Sequence, residues 1–469
     1  MNISIIYPNI SKLLRYGSKI GASGGTQQPL GIAYLGAYLK SKGYNVILID
    51  AETQGLSNQQ ILQRCNAFHT DIYCISATTI VFYKAVELAR YLKAQTPSIP
   101  IIAGGPHISC SPISSMEYGC FDVCVFGEGE ITLYEIVHAL ENGRGLSDID
   151  GIVYREGDRV IKNAGRLMIK DLDTLPFPAR ELLPPLSNYL PPPINYKMVP
   201  CATILTSRGC PYNCTFCDKN TFGSIYRIRT AENIIEEIKH LIHHHNIKEI
   251  AFVDDTFNIN NERLNKLFAL MKSNNINLPW TCMARINTAS YEQLKAMKQA
   301  NCWHISFGIE SGSQDIINII KKGIDLDHAR KVIKWCKEIG LQTKGFFMIG
   351  HPGETKQSIQ ETIDFGLSIP LTNIVVTINT PFPGSWNYDN AKTYGSMPDI
   401  DWSIYNMWTP VFVPNGLSEA YLKEKHGEFI KRFYFRISTI FNQLIQFRRF
   451  SDIKRFKSMF ISAKALIGM

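Results

Sequence analysis

The chain has no run of about 18 or more uncharged apolar residues, so no segment of it reads as a membrane-crossing helix. It also lacks a basic start followed by a long apolar core. Met1-Asn2-Ile3-Ser4-Ile5-Ile6-Tyr7-Pro8 reads as a short strand and not as a signal peptide. The twelve cysteines do not show the paired spacing of secreted scaffolds, which argues for a reducing cytosol. Charge is sparse, at 19% against 45% hydrophobic residues, as in a folded protein and unlike a disordered one. The 469 residues suffice for two domains and a tail. Much of the formal net charge of +8 lies after residue 420, so it describes the tail more than any substrate.

The stretch around which the rest is organised is Cys210-Pro211-Tyr212-Asn213-Cys214-Thr215-Phe216-Cys217, preceded by the apolar run 202–206 and by Ser207-Arg208-Gly209. Four thiolates normally hold a cubane iron–sulfur cluster. A compact loop offering three leaves one iron open to a substrate or cofactor, the logic that separates catalytic from structural zinc sites. A zinc knuckle with a distant fourth ligand, or three reduced structural thiols, are the alternatives.

Ahead of this loop, 3–7, 45–50, 71–77, 99–103 and 122–126 read as strands, and 30–42, 57–68, 82–95 and 130–142 as helices. The alternation predicts an α/β, doubly wound parallel sheet over residues 1–165, with ligands beyond the carboxyl ends of its strands. The loops there are Ser76-Ala77-Thr78-Thr79, Gly104-Gly105-Pro106-His107 and Gly127-Glu128-Gly129-Glu130. Glycine lets backbone approach a ligand, and hydroxyls can bond it. Residues 152–154 and 159–161 read as a small hairpin. Residues 166–200 form a proline-rich, stiff linker.

From Cys201 to about residue 400 the β/α pattern resumes, with strands near 202–206, 248–253, 280–284, 303–309, 343–349 and 373–379. Six units predict a partial (β/α)6 barrel with its chemistry at the strand C-terminal ends. Asp254-Asp255, Arg285, Glu310-Ser311 and Ile349-Gly350 fall at those ends. An arginine there can form a forked pair with a carboxylate. His243-His244-His245 ends an amphipathic helix and reads as solvated surface. Cys282, Cys302 and Cys336 read as core thiols, and Cys201 opens the first barrel strand.

Cys210, Cys214 and Cys217, with Phe216 before the last cysteine, resemble the signature of the radical S-adenosylmethionine superfamily. The resemblance implies a 4Fe–4S cluster on the three cysteines, whose open iron binds S-adenosylmethionine. It implies further that Asp254 or Asp255 serves the ammonium or an ordered water, Arg285 the carboxylate and Glu310 the ribose. Ser311 follows Glu310 in that motif, and Ile349-Gly350 and the Phe216 region would hold the adenine. Tyr7-Pro8, Pro29-Leu30-Gly31 and the loops at Ser76–Thr79, 104–107 and 127–130 together resemble the Rossmann-like cobalamin-binding domain that precedes many such barrels. Ser76, Ala77, Thr78, Thr79, Gly104, Gly105, Pro106, His107, Gly127, Glu128 and Gly129 are the implied cobalamin residues. The Asp-x-His-x-x-Gly loop that supplies a cobalt ligand is absent, and residues 9–28 hold no histidine. Cobalt with its lower face open, or filled by another group, is therefore expected, with His107 at the corrin edge or backbone.

The architecture resembles the class B radical S-adenosylmethionine methyltransferases. That implies methylation of an unactivated carbon or a phosphinate through a 5′-deoxyadenosyl radical and methylcobalamin. A cyclase or rearrangement enzyme is the alternative, since the anaerobic magnesium-protoporphyrin cyclases share this layout and residues 432–434 resemble part of their C-terminal region. A cobalamin sensor would need no labile cluster. Methylthiolation is disfavoured because the N-terminal domain lacks that family's three cluster cysteines. The expected partners are a small-molecule or lipid-like substrate and a reductant such as flavodoxin or ferredoxin. In the C-terminal helical region, 401–469, Lys431, Arg432, Arg436, Arg448, Arg449, Lys454, Arg455 and Lys457 alternate with aromatic and aliphatic residues. A packed helical cap is expected there, with contact to an anionic membrane surface as a minority reading. No nucleic-acid recognition motif accompanies the charge.

Overall fold

The computed structural model describes residues 1–20, 24–398, 401–437 and 439. Strands β1 (Asn2–Tyr7), β2 (Asn45–Asp50), β3 (Ile72–Ser76), β4 (Ile101–Gly104) and β5 (Val123–Val125) form a parallel sheet. An antiparallel hairpin, β6 (Ile152–Glu156) and β7 (Arg159–Lys162), extends it to the order β2-β1-β3-β4-β5-β6-β7. The strands are near-continuous runs of Ile, Val and Cys because helices cover both faces of the sheet. The connections from β1 and from β3 leave in opposite directions, so a crevice opens between them at their carboxyl ends, where doubly wound sheets bind ligands.

The second sheet comprises β8 (Cys201–Ile204), β11 (Glu249–Phe252), β12 (Trp280–Ala284), β13 (Cys302–Glu310), β14 (Gln342–Ile349) and β15 (Asn373–Ile378). All are parallel, in the order β15-β14-β13-β12-β11-β8, an open six-stranded barrel. Between β8 and β11 the cluster loop is pinned by a two-residue antiparallel ribbon, β9 (Ser207–Arg208) with β10 (Arg227–Ile228). One face of each barrel strand, such as Ile305, Phe307, Phe347 and Ile349, packs outward against the helices. Helix Glu419–Tyr434 joins that outer core through Leu422, Phe429, Ile430 and Phe433, so the described part of the C-terminal region is a packed cap. Arg432 pairs with Glu428 and Asp364, and Arg436 donates to the Leu367 carbonyl. Arg448, Arg449, Lys454, Arg455 and Lys457 lie outside the described residues. No helix among the described residues is long and apolar enough to cross a membrane. Cys282, Cys302 and Cys336 lie in the barrel core. Cys201 sits at the amino end of β8, away from the strand ends that carry the loop, and His243 and His244 are exposed.

The two sheets are joined by buried ion pairs. Glu237 accepts from Arg180 at 2.9 Å and from Arg229 at 2.5 Å, and its side chain is 1% exposed. Glu128 accepts from Arg208 and Arg227, both at 2.8 Å, and Arg208 also donates to Glu130 at 2.6 Å. Arg180 lies in the proline-rich linker, which also reaches Asp50 through the Tyr189 hydroxyl at 2.8 Å. From the other side Trp402 and Tyr405 cross back onto Phe82 of the first core.

Burial would raise the Glu237 pKa, but Arg229 and Arg180 outweigh it and hold the group below its ordinary value. The carboxylate thus contributes stability that is fully present above its unfolded pKa of about 4.3 and is lost as pH falls below it. Removing one partner of a buried pair costs about 3–5 kcal/mol. Glu237→Ala should therefore lower unfolding free energy by that order in urea titrations at pH 7. The deficit relative to the unmodified protein should shrink as the titrations are moved below pH 4.

Candidate functional site

The cluster loop begins where Asp254 anchors it. Asp254 is fully buried and accepts from the Thr206 amide at 2.7 Å, the Thr206 hydroxyl at 2.9 Å and both the amide and the hydroxyl of Ser207. Gly209 then turns at φ +83°, where a Cβ would lie 2.2 Å from the Ile225 carbonyl, so only glycine fits before Cys210. Cys210 lines a cavity of about 790 Å³ between the two sheets, whereas Cys214 and Cys217 line a second recess of about 450 Å³. No three ligand side chains among the described residues converge on a point that could hold a single metal ion. A zinc ion needs its sulfurs about 2.3 Å from one centre. A cubane takes each thiolate at a different corner and so does not require the three sulfurs to meet at one centre.

Several candidates meet beside this loop. Arg285 stacks 3.6 Å above the Tyr212 ring, donates to Asn287 Oδ1 at 2.7 Å and reaches Cys214 Sγ at 3.7 Å. Glu310 stands at φ +70° and accepts from Lys322 Nζ at 2.8 Å, with Lys322 in turn 5.7 Å from the Phe216 ring centroid. A hydrogen bond from Cys217 pulls the Cys214 thiol down to about 6, against its burial and with help from Lys322 and Arg285. His351 lies 5.9 Å from Phe216 and is fully buried, with neither ring nitrogen bonded in the protein. Of the two acids left open, Asp255 lines the cavity and Asp254 is turned inward to the loop. Ser311 is also turned inward, its hydroxyl 2.9 Å from Thr362 Oγ1. The Ile349 and Gly350 carbonyls accept from Asn379, and the Gly350 amide donates to Glu354.

Across the cavity lie Ser76, Thr78, Gly104, Gly105, Pro106, Gly127, Glu128 and Gly129. Gly105 is held at φ +99°, where a Cβ would come within 2.8 Å of the Ala77 carbonyl, so the loops after β3 and β4 meet backbone to backbone. Ala77, Thr79 and His107 do not line the cavity. His107 stacks on Phe82 with centroids 3.9 Å apart, touches Trp402 and approaches Thr79 Oγ1 at 3.2 Å. Burial depresses its pKa to about 3, so the ring is neutral. The His107 ring thus packs into the first core, flanked by Phe82 and Trp402, and does not itself line the cavity. Glu128 borders the cavity, and its carboxylate is bonded to Arg208 and Arg227. No described residue lining the cavity is a histidine, and the Thr221 hydroxyl there is buried without a protein partner. Glycine cradles, an unsatisfied hydroxyl and the absence of a lining imidazole fit a large cofactor with no protein histidine on its metal.

Residues 204–366 match the model of the radical SAM superfamily, and residues 20–137 match that of the B12 binding domain. The chain is 34% identical over 430 residues, 91% of its length and 92% of the relative's, to an uncharacterized methyltransferase, PH0819, of Pyrococcus horikoshii. The chain belongs to the radical SAM superfamily, in the branch that carries a B12 binding domain. It is also 27% identical over 443 residues, 92% of this chain and 77% of that protein, to the anaerobic magnesium-protoporphyrin IX monomethyl ester cyclase of Rubrivivax gelatinosus. In fold it is similar to the radical S-adenosylmethionine methyltransferase TsrM of Kitasatospora setae with cobalamin and a [4Fe-4S] cluster bound. That likeness has a TM-score of 0.70 at 16% identity, over 99% of this chain and 98% of that one. The protein is thus a radical SAM enzyme whose cofactors are a 4Fe–4S cluster, S-adenosylmethionine and cobalamin, and members of this superfamily use small-molecule substrates and an external reductant.

The sequence does not single out Tyr212 or Lys322 as site residues, and it places His351 only as part of the loop that follows the fifth barrel strand. Lys322 reaches Glu310 only because the chain folds back after helix Gln314–Ile319, and nothing in the spacing pairs them. His351 stands in the Gly-His-Pro-Gly-Glu turn, where its burial was not legible.

Replacing Cys210, Cys214 and Cys217 together by Ala should abolish the brown chromophore of reconstituted protein while cobalamin binding stays nearly intact, both read by absorbance. His107→Ala should still bind cobalamin, and the paramagnetic resonance spectrum of the cob(II) state should show no nitrogen splitting from the lower face in either protein. Splitting that vanishes in His107→Ala would contradict the packing described.

Proposed function

We propose that the protein is a cobalamin-dependent radical SAM methyltransferase acting on an unactivated carbon, or a phosphinate, of a small molecule. One observation carries this reading: a single cavity is bordered both by the loops after β3, β4 and β5 and by Cys210 of the cluster loop. When bound, the cluster with S-adenosylmethionine supplies a carbon-centred radical, and cobalamin supplies a transferable methyl group.

The chain's own part is positioning. We assign Cys210, Cys214 and Cys217 to the cluster and Arg285, held flat on Tyr212, to the carboxylate of S-adenosylmethionine. Lys322 occupies Glu310 Oε1, which leaves Oε2 as the oxygen for the ribose hydroxyls. Asp255 is the acid that borders the cavity, whereas Asp254 keeps the loop in register. Phe216 with Gly350 would bound the adenine, and Ser311 and Ile349 would brace that wall from behind. Ser76, Thr78, Gly104, Gly105, Pro106, Gly127 and Gly129 would face the corrin, in a domain spanning 1–165 joined by the linker 166–200 to the barrel at 201–400. Flavodoxin or ferredoxin in a reducing cytosol would suit as the electron donor.

Methyl donation and radical initiation are separate jobs, so each methylated product should consume two S-adenosylmethionine molecules. With the true substrate, S-adenosylhomocysteine and 5′-deoxyadenosine should appear near one to one by chromatography. Arg285→Ala and Glu310→Ala should depress both. Sustained 5′-deoxyadenosine without S-adenosylhomocysteine would move the assignment to the cyclase reading, which the likeness to the Rubrivivax gelatinosus enzyme keeps specific.

A further inference from the structure

Successive residues of a strand point to opposite faces. On β14 Phe347 and Ile349 join the outer core, so Lys344, Phe346 and Met348 face the barrel lumen. Lys344 is in register with Ser306 of β13 and Asn373 of β15, and Ser306 with Met283 of β12, so these four share one layer. Met283 is 37% exposed at that level, which means the lumen there is open and not filled by side chains. Lys344 itself is 5% exposed. Its ammonium reaches across to the linker, donating to Asn195 Oδ1 at 2.6 Å, and Asn195 lines the inter-domain cavity. Asn195 thus links the two, bonding the lumen lysine while itself bordering the cavity.

Among the described residues the buried lysines Lys322 and Lys344 differ in one respect. Lys322 has Glu310, and despite its burial the carboxylate holds its pKa above the ordinary value. Lys344 has a neutral amide, and burial alone draws its pKa down to about 8, with no carboxylate near enough to hold it up. An ammonium out of water without a counter-charge is costly, and among the described residues Lys344 has only the Asn195 amide and, 4.9 Å from its nitrogen, the Phe346 ring centroid. The walls above it, Phe346, Met348 and Val375, are half-buried and apolar.

We propose that Lys344, with Asn195 beside it, receives an anionic oxyacid group of the substrate, a carboxylate or a phosphate or phosphonate, whose apolar remainder lies along the lumen toward the cluster loop. This rests on the reading of the cavity as the place where substrate meets the cofactors. It narrows the substrate class to amphipathic anions. The Asn195 amide then turns its Nδ2 donors to the same group, and the linker closes the open side of the barrel over it.

The test uses the full chain with its cluster reconstituted anaerobically and three probes, octylphosphonate, octanoate and octanol, titrated calorimetrically into wild type and K344Q. At least one of the two anions should bind wild type, and K344Q should weaken it by at least about tenfold, as for loss of a hydrogen-bonded charge. Octanol should bind the two proteins alike, which also shows that the lumen of K344Q is intact. Which anion binds separates the carboxylate from the phosphonate. Equal anion affinity in K344Q, or no binding of either anion to wild type, overturns the proposal. Dithionite-driven cleavage of S-adenosylmethionine by wild type is measured in parallel. Protein that cleaves it but binds no anion refutes this inference alone, and protein that binds anions through Lys344 but never cleaves it refutes the functional reading alone.

Discussion

Two buried glutamates hold the halves of this molecule together. Glu237 gathers an arginine from the linker and one from the cluster-loop ribbon's flank, and Glu128 gathers two from the barrel side of the interface. Such pairs contribute little net stability, because desolvation offsets most of the attraction, but they are sharply directional. A purely apolar interface would tolerate sliding. Here a shift of an ångström or two breaks the pairs that Arg208 and Arg227 make with Glu128 and the one that Arg180 of the linker makes with Glu237. The inter-domain cavity therefore has a defined width, on which chemistry between the two sheets depends.

The same economy recurs at the loop that carries the cysteines. Asp254 collects four donors from two successive residues, and Gly209 makes the turn that only glycine can make. These fix the start of the loop before any cofactor binds, so the ordering cost of the backbone is met by folding and not by cluster assembly. Arg285 on Tyr212, and Lys322 between Glu310 and Phe216, place two cations at the same edge, where thiolates and a carboxylate would arrive. At the ends of β3, β4 and β5 the other sheet meets the cavity with glycine, Ser76, Thr78 and Pro106, which let a broad ligand approach the backbone, while its charged lining residues Arg15 and Glu52, and Glu128 and Glu130 with Arg208, are paired with one another or across the interface.

Much of this could be read from the chain alone, for reasons of local physics. Strand and helix positions follow from apolar periodicity, which survives without tertiary context, and the six barrel strands lie within a few residues of where the pattern puts them. The cluster loop is legible because the three cysteines are close in sequence and the glycine before them is a steric necessity. Arg285 and Glu310 are legible because strand ends in a barrel all face one way. What the sequence could not decide is where a side chain points once several elements compete for it. His107 and Glu128 sit in loops that border the cavity, yet one is captured by Phe82 and Trp402, the latter almost 300 residues away in the chain, and the other by Arg208 and Arg227. Asp254 and Asp255 are adjacent and chemically alike, and only the packing of β8 against β11 turns the first inward and leaves the second at the cavity. Lys344 reads in sequence as one more strand residue, and its meaning depends on a lumen and a linker brought together from opposite ends of the fold. Periodicity and covalent geometry are local and were written in the chain, whereas burial, charge pairing and the sharing of one cavity are properties of distant residues meeting, and only the tertiary structure could decide them.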